Sequence, residues 1–207
     1  MWLNVVVCIL AAYLLGNLNG SVCISALMHD DVRSHGSGNA GLTNFIRNYG
    51  AGRALLVILI DAGKAVVACL TGGLLLAPFG FRLEGVMLGG LAVLLGHDFP
   101  ALLGFRGGKG ILSGLFVALM ADWRVALILL AVFAAVYFAT RYVSLGSVLG
   151  AAAFSICFAV FHSDNLFVVV SGIIMGVLVI FMHRSNIVRL IQGNERKTDL
   201  FKKGTNS

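Results

Sequence analysis

Most side chains able to do chemistry in this sequence fall in three short polar stretches set between apolar ones. The first is GSGNAGLTNFIRNYG, Gly36–Gly50. Gly36, Gly38 and Gly41 free the backbone to turn successive N–H groups toward one anion. Ser37, Asn39, Thr43 and Asn44 add neutral hydrogen-bond donors, and Arg47 adds a fork-shaped cation suited to phosphate. The second is GHDFPALLGFRGGKG, Gly96–Gly110, with His97 near its start. An oxyanion at Gly107, Gly108, Lys109 and Gly110 would meet loop amides, an ammonium and the start of the next apolar helix together. This is not a nucleotide-hydrolysing phosphate loop. Leu103 stands where that motif needs its first glycine, and Gly110 where it needs Ser or Thr. The third is HRSNIVRLIQGNE, His183–Glu195. His183 and Asn186, three apart, can share one helix face. Ile187, Leu190 and Ile191 give the pattern of an interfacial helix leaving a span, and Arg184 and Arg189 suit lipid headgroups. Glu195 reads as a loop holder or a partner for a basic group.

Each stretch alone also fits a plain structural role: a capped loop, a basic loop with flexible glycines, an amphipathic helix. Together they suggest a phosphorylated polar substrate meeting a lipid-soluble one. Transfer and transport both remain open on residue types alone.

The elements that must position these stretches are apolar. The chain has 207 residues, 59% hydrophobic and 12% charged, whereas a soluble domain carries about 25% charged residues. Apolar runs cover roughly 2–28, 54–77, 83–97, 110–121, 124–140, 143–161 and 165–182. They are continuous rather than alternating, which predicts an all-α polytopic membrane protein and not a β-barrel. The runs give seven spans. The runs 83–97 and 110–121 fall short of the ~20 residues a straight span needs, so they read as short helices facing a cavity, or the count is five. The first Arg or Lys is Arg33, so the first run lacks a basic leader and reads as a retained span.

With seven spans, one side receives Arg33, Arg47, Arg53, Arg106, Lys109, Arg141, Arg184, Arg189, Arg196, Lys197, Lys202 and Lys203; the other receives Arg82 and Arg124. Twelve basic residues against two place the N-terminus outside and the C-terminus in the cytoplasm. All three polar stretches then lie on the cytoplasmic face. The outside loops, Pro78–Arg82, Ala121–Trp123 and His162–Asn165, are too short to bind anything large.

Within the spans, Asp61 and Lys64 are three apart and can pair, Asn17 and Asn19 can bond between helices, and Ser144 and Ser147 can face one pocket. Cys8, Cys23, Cys69 and Cys157 lie in apolar runs as small hydrophobes, and the five histidines lack metal spacing. The net charge of +6 suits loops against anionic lipid and does not require nucleic acid.

In order and on one face, GSGNAGLTN with Arg47, GHDFPALLGFRGGKG, and HRSNIVRL with Glu195 closely resemble the bacterial glycerol-3-phosphate acyltransferases that use acyl phosphate, the PlsY family. The resemblance covers nearly the whole chain, including YLLGNLNGS, DAGK at Asp61–Lys64, and TRYVSLGS. Gly16-Asn17-Leu18-Asn19 departs from the family's usual Gly-Ser-Ile-Pro in the first span.

The resemblance implies a multi-pass enzyme of the bacterial plasma (inner) membrane. It would move a fatty acyl group from acyl phosphate to the 1-position hydroxyl of glycerol 3-phosphate, giving lysophosphatidic acid and inorganic phosphate. This is the first acylation in phospholipid synthesis, and no cofactor, metal, nucleotide or acyl-enzyme is expected. Implied partners are glycerol 3-phosphate, acyl phosphate, membrane lipid and an acyl-phosphate-producing enzyme. Residues 1–195 would form one acyltransferase domain and 196–207 a basic tail. The residues agree with that chemistry: no histidine is followed five positions on by Asp, the pattern of acyl-CoA-type acyltransferases, and the aspartates do not form the run a CDP-alcohol phosphotransferase needs. Implied catalytic residues are Ser37, Arg47, Lys109, His183 and Asn186. Implied substrate contacts are Gly36, Gly38, Asn39, Thr43, Asn44, His97, Gly107, Gly108, Gly110, Ser144 and Arg189. The hydroxyl proton goes to the departing phosphate or to His183; sequence does not choose. The rival reading is a membrane carrier for a small phosphorylated solute.

Overall fold

The structure, a computed structural model, describes residues 1–198. Most of the expected tail, 196–207 with Lys202 and Lys203, lies outside the described residues. Among the described residues the fold is wholly helical: α1 (Trp2–Gly16), α2 (Gly20–Leu27), α3 (Leu42–Tyr49), α4 (Ala54–Leu76), α5 (Arg82–Asp98), α6 (Ile111–Ala121), α7 (Trp123–Thr140), α8 (Val143–Phe161), α9 (Leu166–Met182) and α10 (Arg184–Ile191). By length and composition, α4, α5, α7 and α8 can cross a bilayer, and the count rises to 6 if the bent pairs α1–α2 and α9–α10 each make one span. Large apolar side chains such as Trp2, Leu59, Phe138, Val160 and Leu166 face outward, as they do where the solvent is lipid. This is an integral membrane protein.

The first apolar run is two helices rather than one, bent by 42°. Hydropathy does not register the break, but local polar chemistry makes it. The Asn19 side chain accepts from Val22 N at 3.1 Å and so caps α2. Asn17 donates to Tyr13 O at 2.7 Å and accepts Leu102 N at 3.0 Å, so it does tie the break to another segment.

Helices α1, α4 and α5 pack as one group, α7, α8 and α9 as another, and α6 lies between them. Gly72 on α4 faces Gly85 on α5 so closely that a Cβ on either would collide with the other's carbonyl, which explains small residues where two helix backbones meet. A smaller core of Ile24, Val32, Phe45, Ala54 and Val57 lies under α2 and α3.

Candidate active site

The three polar stretches converge on one cavity of about 540 Å³. Its polar end is walled by Gly36, Ser37, Asn39, Thr43, Asn44 and Arg47, by Lys109 and Gly110, and by His183, Asn186, Arg189 and Glu195. Its other end is apolar: Ile111 and Leu115 from α6, Leu129, Leu130 and Phe133 from α7, Ala151 and Phe154 from α8, and Met175 and Val179 from α9. Phe154 lies eleven residues beyond Val143 along α8, about 16 Å at the α-helical rise. The cavity is thus a groove with a cationic mouth and a deep apolar interior.

Asn44 organises the first wall. Its buried amide donates to Val32 O, His35 O and Asn39 O at 3.0–3.1 Å and accepts Ser37 N at 3.0 Å. These bonds hold Gly36 and Gly38 at φ 60° and 70° and leave the exposed Ser37 hydroxyl at the cavity rim. Asn44 lines the cavity, but its amide is committed to the loop; it positions Ser37 rather than grasping a ligand. Arg47, on α3, reaches the C-terminal segment, donating to Thr198 Oγ1 and to Arg196 O. Tyr137 OH also donates to Thr198 O at 3.2 Å, and Thr198 N to Arg141 O at 3.1 Å. Residues 196–198 therefore run past the mouth and fix the guanidinium there.

Lys109 Nζ donates to Asn186 Oδ1. Burial, helped by the nearby Arg189 charge, pulls its pKa from 10.5 to about 8. A cation desolvated in this way is poised to gain from an arriving anion. Glu195 receives Ser144 Oγ at 2.8 Å, Asn186 Nδ2 at 2.7 Å and Arg189 Nε at 2.7 Å. Burial alone would raise its carboxyl pKa; these hydrogen bonds outweigh it and hold the group below the usual value. The expected pairing with a basic group thus has the form of a hub tying α8 to α10. His183 Nδ1 lies 2.8 Å from Val179 O. A carbonyl can only accept, so Nδ1 carries the proton and Nε2 is left as an acceptor on a cavity-lining ring.

Of the expected site residues, Ser37, Arg47, Lys109, His183, Asn186, Gly36, Asn39, Thr43, Asn44, His97, Gly110, Ser144 and Arg189 line the cavity; Gly38, Gly107 and Gly108 do not. Gly38 N is taken by His35 O at 2.9 Å, and Gly108 N by His97 O at 3.0 Å. Gly107 and Gly108 lie so close to residues 97 and 98 that an added Cβ would strike His97 O or the His97 ring. Their lack of a side chain lets the turn pack against residues 97 and 98. Ser147 lines the cavity beside Ser144, as their spacing suggests. The sequence analysis does not assign Asp61 or Arg196 to the cavity wall, yet both line it; for Arg196 the only available signal is its place beside Glu195. Among the described residues there is no group of three or more His, Cys, Asp or Glu placed to hold a metal.

The family described as glycerol-3-phosphate acyltransferase matches residues 6–193. The glycerol-3-phosphate acyltransferase of Finegoldia magna is 40% identical over 200 residues, covering 95% of this chain and 97% of that protein. The enzyme of the same name from a Thermoanaerobacter species is 40% identical over 188 residues, covering 90% and 91%. A crystal structure of PlsY, an integral membrane glycerol 3-phosphate acyltransferase, in its glycerol 3-phosphate form superposes with a TM-score of 0.85 at 32% identity, covering 96% of this chain and 99% of that one. Its lysophosphatidic acid form superposes with a TM-score of 0.82 at 33% identity, covering 95% and 96%.

Proposed function

This chain belongs to the glycerol-3-phosphate acyltransferase family, and we propose that it moves a fatty acyl group from acyl phosphate to the 1-position hydroxyl of glycerol 3-phosphate. The products are lysophosphatidic acid and inorganic phosphate, formed on the cytoplasmic face of a bacterial inner membrane. The observation that carries this reading is the single cavity that joins a cationic mouth to an apolar interior between α6, α7, α8 and α9. Such a groove fits one substrate that is wholly polar and phosphorylated beside one that has a phosphate head and an acyl tail.

Acyl phosphate is already activated, so the protein can work by positioning and by stabilising charge. Arg47, Lys109 and Arg189 hold the two phosphates, with Gly36, Asn39 and Gly110 beside them. Ser37, Asn39, Thr43 and Asn186 orient glycerol 3-phosphate and the reacting carbonyl. The 1-hydroxyl oxygen attacks the acyl carbon, the bond from that carbon to the bridging oxygen breaks, and the electron pair leaves with phosphate. The free Nε2 acceptor of His183 supports that ring as the first acceptor of the hydroxyl proton, with the departing phosphate as its final destination. The acyl chain lies against Leu129, Phe133, Phe154 and Met175. An acyl-phosphate-producing enzyme would supply the donor through the membrane or by contact.

The test offers purified protein glycerol 3-phosphate with acyl phosphate and, separately, with acyl-CoA. Lysophosphatidic acid from acyl phosphate alone is expected. Product from acyl-CoA alone would overturn the donor assignment.

A further inference from the structure

Asp61 and Lys64 on α4 have no place in the chemistry above, yet they sit at a buried junction. Lys64 Nζ lies 2.8 Å from Asp61 Oδ1, 2.6 Å from Leu18 O, 3.3 Å from Gly16 O and 2.7 Å from His97 Nδ1. Asp61 Oδ1 in turn accepts Gly20 N at 3.1 Å. The break between α1 and α2 leaves carbonyls at the end of one helix and N–H groups at the start of the other among buried residues, where each needs a partner. The Asp-x-x-Lys pair meets both sides of the break with the matching charge: ammonium on the carbonyls of Gly16 and Leu18, carboxylate on the N-terminus of α2.

An ammonium has three protons. Four acceptors, Asp61 Oδ1, Gly16 O, Leu18 O and His97 Nδ1, share them, so Lys64 has nothing left for a substrate, and it lies off the cavity wall. Because Lys64 donates to Nδ1, His97 is a neutral ring with its proton on Nε2, held at a fixed angle. That ring lies directly against Gly108, where an added Cβ would strike Nε2, Cε1 and Cδ2. The same residue's carbonyl accepts Gly108 N at 3.0 Å. Lys109 is the next residue.

We propose that Lys64 is a positioning residue for acyl transfer: through His97 it fixes the Gly107–Gly110 turn and so sets where the Lys109 ammonium meets a phosphate. This rests on the acyltransferase reading. It assigns a functional role to a motif that otherwise only stabilises a broken helix.

A double-mutant cycle separates the two roles, since a purely structural defect multiplies with loss of Lys109 while a positioning effect vanishes once Lys109 is gone. Lys64→Met is measured alone and with Lys109→Ala, scoring kcat/KM in protein shown to be monodisperse. About a tenfold loss is expected from Lys64→Met alone, as for a lost charged hydrogen bond. In the Lys109→Ala background a further loss of under about threefold is expected. Lys64→Met leaves a buried carboxylate unpaired and can fail to fold. Two variants keep the test open. His97→Asn retains an acceptor for Lys64 but removes the ring, and Gly108→Ala pushes the turn off that ring. Both are expected to lose activity alone and to be nearly silent beside Lys109→Ala. Equal fold losses in both backgrounds, or folded single variants as active as the parent, would overturn the inference while the functional reading stands. An inactive parent protein would overturn both.

Discussion

Lys109 offers the sharpest perturbation. Its ammonium lies at the cavity mouth against Asn186, and burial holds its pKa at about 8 instead of 10.5. With a pKa of about 8, roughly nine-tenths of the molecules carry the charge at pH 7 and roughly one-tenth at pH 9. If this cation binds a substrate phosphate, kcat/KM falls about tenfold between those values as the proton is lost. Lys109→Met removes a charged hydrogen bond worth about 1.5–3 kcal/mol, so kcat/KM at pH 7 drops on the order of ten- to a hundredfold. Lys109→Arg keeps a cation that stays protonated, so its activity at pH 9 stays close to its own value at pH 7. Stability moves the other way. For a base whose pKa is lower folded than unfolded, the folded chain binds fewer protons. The penalty is absent above pH 10.5, grows as pH falls, and is complete below about pH 8. At about 1.4 kcal/mol per pH unit across that gap, reduced for partial exposure, the cost is on the order of 1–3 kcal/mol. Lys109→Met therefore melts higher than the parent at pH 7 while losing activity. The assay is initial-rate lysophosphatidic acid formation from pH 6 to 9.5 on all three proteins, with melting curves. A Lys109→Met protein within threefold of the parent, or an alkaline limb unchanged in Lys109→Arg, would refute the reasoning.

Arg47→Ala removes a second cation at the mouth and its hold on residues 196–198; kcat/KM is expected to fall about tenfold or more, and retained activity in well-folded protein contradicts its phosphate role. Ser37→Ala and Asn44→Ala divide chemistry from support. The exposed Ser37 hydroxyl should affect kcat with little change in melting temperature, whereas Asn44→Ala strands buried partners and should cost about 2 kcal/mol of stability with its activity. Gly150 lines the groove with nothing within 4 Å of where a Cβ would stand, so Gly150→Leu projects into the acyl site. Displacing about three buried methylenes at ~0.8 kcal/mol each lowers kcat/KM roughly fiftyfold for long acyl phosphates, and a series of donor lengths should show short ones spared.

How much of this was legible in the sequence depends on the scale of the interaction. Glycines spaced around Ser37 and Lys109 mark loops near cations, and those loops do meet. The same spacing cannot tell a glycine that bares an N–H from one that admits a neighbouring ring, and at Gly108 the structure shows the ring of His97. Seven apolar runs read as helical, and each forms helix. The break at Asn17–Asn19 hid inside the run 2–28 because hydropathy averages over two asparagines, although Asn19 before Gly20 is itself a cap signal. The i, i+3 spacing of Asp61 and Lys64 gave their pairing. It could not give Gly16 O, Leu18 O or His97, which come from other helices and exist only after packing. Glu195 was legible as a partner for a cation, but its three donors come from two different helices, and only the folded mouth brings them together.

The most direct measurement places the purified protein in proteoliposomes with labelled glycerol 3-phosphate outside and acyl phosphate in the membrane. Lysophosphatidic acid and inorganic phosphate should appear in a one-to-one ratio, with no glycerol 3-phosphate accumulating inside. Uptake of labelled glycerol 3-phosphate without any lysophosphatidic acid would contradict acyl transfer and make the cavity a carrier's site.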